Sequence, residues 1–138
     1  MRTAVDSSIL LDVLSADPNF GASSREALRR AFDEGALMAC EVVWSEVRAH
    51  FPDDASFNAA MLALGLRFEA MTVETAQEAG RRWRDYCLAH KRPRSRVMAD
   101  FLIAAHALHQ ADVLLCRDRG YFRPQFEELV VIGPTDIT

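Results

Sequence analysis

Four acidic residues, Asp6, Glu46, Asp100 and Asp118, each sit where an apolar segment meets a loop or turn. Asp6 ends the run "RTAVD", Glu46 lies in "VVWSEV", Asp100 heads the helix pattern "DFLIAAHALHQ", and Asp118 follows "DVLLC" by two residues. A carboxylate beside a core is costly unless it is paired or put to use. Singly, each has an ordinary reading: Asp6 and Asp100 as helix caps, Asp118 as a turn former, Glu46 as a solvated helix position. Together, packed within ~4–6 Å, they would raise one another's pKa, and a hard divalent cation would remove the repulsion. Mg2+ or Mn2+ prefers oxygen ligands, takes one or two carboxylates directly and keeps several waters. The chemistry that follows is phosphodiester hydrolysis, with a metal-activated water and no nucleophilic side chain.

For the four acids to meet, the chain must bring distant elements to one edge. The sequence predicts strands at 2–6, 36–40, 66–72, 112–116 and 129–133, each short and apolar enough to be fully buried. Between them fall helices: one after Asp6 with Ser7 as its N-cap, an amphipathic one closed by Gly35, then 41–50, 54–65, 73–90 and 98–110. Strands alternating with helices predict an α/β fold, a parallel sheet covered on both faces. In such sheets ligands bind beyond the carboxyl ends of the strands. Asp6, Glu46, Asp100 and Asp118 all belong to that edge.

The 138 residues are expected to form one domain, 1–138, and half of them are hydrophobic. The three cysteines, Cys40, Cys87 and Cys116, fit neither a zinc pattern nor a disulfide framework, which predicts a reducing, cytoplasmic setting. No apolar stretch approaches the ~20 residues of a membrane helix. The net charge of −4 argues against a plain cationic nucleic-acid binder. Yet seven of the sixteen positive residues fall between 81 and 96, nearly all of them arginine, whose planar fork suits phosphate. A genomic bias toward arginine would give the same excess. No GxGxxG or Walker A sequence occurs, and Asp6 lacks the neighbouring acid of a phosphoaspartyl site. The histidines His50, His90, His106 and His109 show no ligand spacing.

In order and separation, "AVDSSILLDVL", "VVWSEV", "ADFLIAAHAL" and "LLCRDRGYF" resemble the PIN domain family, and within it the VapC-type toxin ribonucleases of toxin–antitoxin pairs. The resemblance spans nearly the whole chain. It implies a three-layer α/β/α sandwich, Mg2+- or Mn2+-dependent endoribonuclease activity on RNA, a homodimer, and a cognate antitoxin protein that binds DNA. Carried over by position, Asp6, Glu46, Asp100 and Asp118 match the family's four acids, and Ser8 falls where a hydroxyl supports the first. Cys116 stands where the family usually has Thr or Ser, and a thiol is a weak hydrogen-bond partner.

On this basis Asp6, Asp100 and Asp118 are expected to hold one or two metal ions, and Glu46 to orient or deprotonate the attacking water. Arg94, Arg96, Arg117 and Arg119 are expected to neutralise RNA phosphates. Two other classes remain open: a PIN-like module that binds RNA or protein without cutting, and a metal-dependent DNA nuclease. Trp44, Phe51, Phe57, Met61 and Leu64 are either core or an apolar groove for the antitoxin.

Overall fold

A computed structural model of the protein describes residues 1–90, 96–118 and 120–134. The basic loop around Pro93, including Arg94, lies outside the described residues, as does Arg119. The elements run β1 (Arg2–Val5), α1 (Ser7–Leu14), α2 (Gly21–Glu34), β2 (Ala36–Ala39), α3 (Glu41–Arg48), α4 (Asp54–Ala63) and β3 (Leu66–Phe68). They continue with α5 (Val73–Ala89), α6 (Met98–Gln110), β4 (Val113–Leu115) and β5 (Val131–Ile132).

The sheet order is β3-β2-β1-β4-β5 and every neighbouring pair is parallel. The chain therefore starts mid-sheet, steps outward through β2 to β3, and crosses back to lay β4 on the other side of β1. Right-handed crossovers in opposite directions put the two sets of helices on opposite faces, which makes the three-layer sandwich. Between β1 and β4 the strand order reverses, and a crevice opens beyond their carboxyl ends.

The central strands are buried as expected: Ala4, Val5, Leu37, Met38, Ala39, Leu114 and Leu115 form the middle of the core. The edge strands are not. In β3 only Leu66 is buried while Arg67 and Phe68 are exposed, and β5 is half-buried. An edge strand has one sheet neighbour and incomplete helix cover, so full burial fails there first. The third strand also stops at Phe68 rather than reaching residue 72, although the Glu69 amide still bonds the Ala39 carbonyl at 3.0 Å.

Helix α6 is the central helix. Phe101, Ile103, Ala104, Ala105, His106 and Ala107 are all buried, and α5 packs along it more extensively than any other helix. The run of alanines lets sheet and α5 approach closely, and an apolar helix all round belongs in an interior. The aromatic set expected to be core or groove divides. Phe57 and Met61 are core, whereas Trp44, Phe51 and Leu64 are half-buried against it, with Trp44 edge-on to Phe57 and Phe68. Among the described residues no helix is long and apolar enough to cross a membrane.

Candidate active site

The first acid follows directly from the switch point. The Asp6 amide bonds the Leu115 carbonyl at 2.9 Å, extending the β1–β4 pairing by one step before the chain turns into α1. Asp6 itself is the N-cap of α1, with φ −74° and ψ 151°. This corrects the assignment of Ser7 as the cap. The Asp6 carboxylate outcompetes the Ser7 hydroxyl because its Oδ2 accepts both the Ser8 amide (3.3 Å) and the Ser8 hydroxyl (2.6 Å).

Asp100 occupies the first turn of α6, where its Oδ2 accepts the Val97 amide at 3.0 Å and the Tyr121 hydroxyl at 2.8 Å. A carboxylate there is favoured by the helix dipole. Asp118 makes an Asx turn, its Oδ1 accepting the Gly120 amide at 3.0 Å. Glu46 lies on α3, which packs against both α1 and α6.

These placements bring Asp6, Glu46, Asp100 and Asp118 to one cleft of about 250 Å³, together with Ser7, Ser8, Ile103, Cys116, Arg117, Tyr121 and Phe122. The capping and turn readings of the three aspartates hold for one oxygen of each. To the described residues, Asp6 Oδ1, Asp100 Oδ1 and Asp118 Oδ2 make no hydrogen bond. Burial of its carboxyl raises the Glu46 pKa; the Ser7 side chain lowers it, and the charges of Asp6 and Asp100 raise it again. Crowding of like charges at this edge is thus expressed on Glu46.

Among the described residues no three His, Cys, Asp or Glu side chains already stand in metal-holding geometry. The donor set nonetheless fits Mg2+ or Mn2+: three aspartate oxygens left over, hard in character, in a cleft with room for the waters such ions retain. Among the described residues no histidine lines the cleft, and its one soft donor is the Cys116 thiol. His106 is buried on α6 beside Glu69, away from the cleft lining.

Cys116 sits between the acids, its Sγ 3.7 Å from Asp6 Oδ2 and 3.5 Å from the Asp118 carbonyl. Burial, then the Asp6 charge, pushes the thiol up to about 12, so it remains a protonated donor. Cys116 therefore offers its single proton to Asp6 Oδ2 or to the Asp118 carbonyl, weakly in either case.

The arginines do not behave alike. The Arg96 guanidinium stacks 3.8 Å above the Tyr121 ring and donates to the Tyr121 carbonyl, so it stands beside the cleft. Arg117, expected to neutralise RNA phosphates, lines the cleft with its Nε and Nη2 engaged by Asp12. Tyr121 and Asp12 carried no expectation from sequence, and Ser7 only that of a helix cap. Asp12 alone had a signal, a charge inside the apolar run "ILLDVL". Tyr121 had none, because a phenol in a turn is usually just solvated.

The sequence model of the PIN domain family matches residues 3–127. The chain belongs to the PIN domain family. This PIN domain is similar in fold to a chain of the VapBC2 complex of Rickettsia felis bound to a promoter DNA fragment. The TM-score is 0.71 at 14% identity, covering 96% of this chain and 98% of that one. It is also similar to a chain of the FitAcB structure from Neisseria gonorrhoeae, with TM-score 0.69 at 20% identity over 98% and 99%. VapC20 of Mycobacterium tuberculosis, described as a Sarcin-Ricin loop cleaving toxin, matches with TM-score 0.52 at 17% identity over 81% and 86%. No curated protein matches the chain by sequence.

Proposed function

We propose that this PIN domain is a Mg2+- or Mn2+-dependent endoribonuclease and the toxin of a toxin–antitoxin pair. The observation that carries the reading is the cleft at the β1–β4 reversal, where three aspartates each keep one oxygen without a hydrogen bond to the described residues and a fourth acid, Glu46, is held at a raised pKa. Asp6, Asp100 and Asp118 would hold the ion through those oxygens. When bound, the ion supplies charge neutralisation at the scissile phosphate and acidifies a water.

The chain's own residues do the rest. Ser8 and Tyr121 fix the orientation of Asp6 and Asp100. Glu46, its pKa raised by burial, accepts the proton of the attacking water. Arg96, held over Tyr121 at the cleft, offers a positive charge to an RNA phosphate entering an acidic rim. A cognate antitoxin belongs to the same proposal, supported by the toxin–antitoxin complex from Klebsiella pneumoniae among its structural relatives, and so does a homodimer.

The test is cleavage of RNA and of matched DNA with Mg2+, Mn2+ or EDTA, beside Asp6→Asn and Asp100→Asn. RNA cut only with metal, and lost in both variants, is the expected result. Cleavage that survives EDTA or Asp6→Asn overturns the proposal. Preferential cutting of DNA would replace it with a DNA nuclease, and binding without cutting would make the domain a recognition module.

A further inference from the structure

Asp12 is a carboxylate with only 3% of its surface exposed, on a helix whose apolar side lines the core. Burying a charge costs several kcal/mol unless its lone pairs are satisfied. Here they are. Arg117 Nε donates to Asp12 Oδ2 at 3.0 Å, Arg117 Nη2 donates to Oδ1, and the Ser24 hydroxyl donates to Oδ2 at 3.0 Å. The flat face of the guanidinium lies 4.4 Å over the Phe20 ring, so the arginine is clamped on its edge and on its face.

The position of this pair matters more than its strength. Helix α1 carries Asp6 at its cap and Asp12 six residues later, and the loop after β4 carries Arg117 and Asp118 side by side. The Asp12–Arg117 fork therefore joins the same two elements that present Asp6 and Asp118 to the cleft. Asp6 and Asp118 line one cleft, where carboxylates with no cation between them repel, and Arg117 and Asp118 are themselves exposed. A bidentate bridge has a directional geometry that resists such spreading.

We infer that Asp12 and Arg117 are positioning residues, which set the separation of Asp6 and Asp118 and so prepare the acid site for its cation. The inference rests on the metal-dependent reading above. It assigns the Nε–Nη2 edge of Arg117 to Asp12, a role distinct from the expected contact with RNA phosphate.

Mn2+ titration of the purified protein, read as free Mn2+ by electron paramagnetic resonance, tests it. Arg117→Ala is expected to weaken Mn2+ binding about tenfold, the scale at which supporting residues tune a metal site. Its kcat should recover at high Mn2+, with KM for RNA unchanged, and RNA affinity in EDTA should match wild type. Arg117→Lys keeps the charge but not the fork and should fall between. If Arg117→Ala does not fold, Asp12→Asn, which keeps the shape, serves the same purpose and should also weaken Mn2+ binding. Wild-type Mn2+ affinity in these variants overturns the inference, and so does RNA affinity lost in EDTA, which would make Arg117 a phosphate contact. Failure of the underlying reading looks different: Mn2+ would not bind the wild type, or would bind Asp6→Asn equally well.

Discussion

Tyr121 holds Asp100: its hydroxyl donates to Asp100 Oδ2 at 2.8 Å, while Arg96 covers the ring. A residue from the loop after β4 thereby fixes the acid that opens α6. Tyr121→Phe removes only that hydroxyl. Loss of one hydrogen bond to a charged group is worth about 1.5–3 kcal/mol, so kcat for RNA is expected to drop about tenfold or more. Tm should stay within a few degrees, because the ring still packs edge-on to Phe122. Wild-type kcat in Tyr121→Phe would remove the hydroxyl from the mechanism.

Glu46 gives a pH signature. Its folded pKa lies above the ordinary value of 4.5 because its carboxyl is desolvated and faces Asp6 and Asp100. Below pH 4.5 both folded and unfolded chains carry the proton, and no penalty exists. As pH rises through the folded pKa the group must ionise in an unfavourable place, and stability is lost. Glu46→Gln in metal-free protein should therefore raise Tm at pH 7 by about 1–3 °C, and the gain should vanish near pH 4. A gain independent of pH, measured by calorimetry across that range, would contradict the assignment. The same variant should abolish cleavage.

Cys116 should be chemically inert. With its thiol pushed up to about 12 and its surface buried, native protein at pH 8 should leave Cys116 unmodified by iodoacetamide, whereas denatured protein should label it fully. Peptide mass mapping reads the outcome directly. Cys116→Ser supplies a stronger donor to Asp6 Oδ2 and is expected to retain or increase RNA cleavage. A large loss in that variant would mean that sulfur packing, not donation, is what the site needs.

Arg82 ties α5 to the segment before β5. Its guanidinium bonds Glu78 Oε2 at 2.8 Å, the Gln125 carbonyl at 2.9 Å and Glu128 Oε1 at 3.0 Å, and lies 4.6 Å over the Phe126 ring. Arg82→Ala should cost about 1–2 kcal/mol in urea unfolding, the range for a charge-assisted bond after solvent screening. Hydrogen bonding to Arg82 holds both Glu78 and Glu128 at about 2. Their contribution is present above pH 4.5 and is lost as pH falls toward 2, so the wild-type advantage over Arg82→Ala should shrink over that window. An advantage unchanged at pH 2.5 would show that packing on Phe126 carries the effect.

Much of this arrangement was legible in the residues. The alternation of short apolar runs with helical periods located all eleven elements, because binary pattern and turn chemistry agree along most of the chain. The strand-end rule anticipated that Asp6, Glu46, Asp100 and Asp118 would share an edge, and they line one cleft. What escaped was pairing at a distance. Arg117 reads as a phosphate contact until Asp12, 105 positions away, is found in its fork. Tyr121 reads as a turn residue until Asp100 is found against its hydroxyl. Burial of the edge strands was also overread, since composition cannot say which strand lacks a second neighbour. Ser7 and Asp6 were both plausible caps, and only the bonds to Ser8 decide between them.

The helix that presents Asp100 packs against both the sheet and α5, and its alanines Ala104, Ala105 and Ala107 are buried. A bulkier residue at Ala104 or Ala105, both without exposed surface, would have to push packed neighbours aside to be accommodated. Diversification of what this PIN domain recognises is therefore easiest in the connecting segments, whose lengths can drift through evolution while the acid cleft stays where the interior holds it.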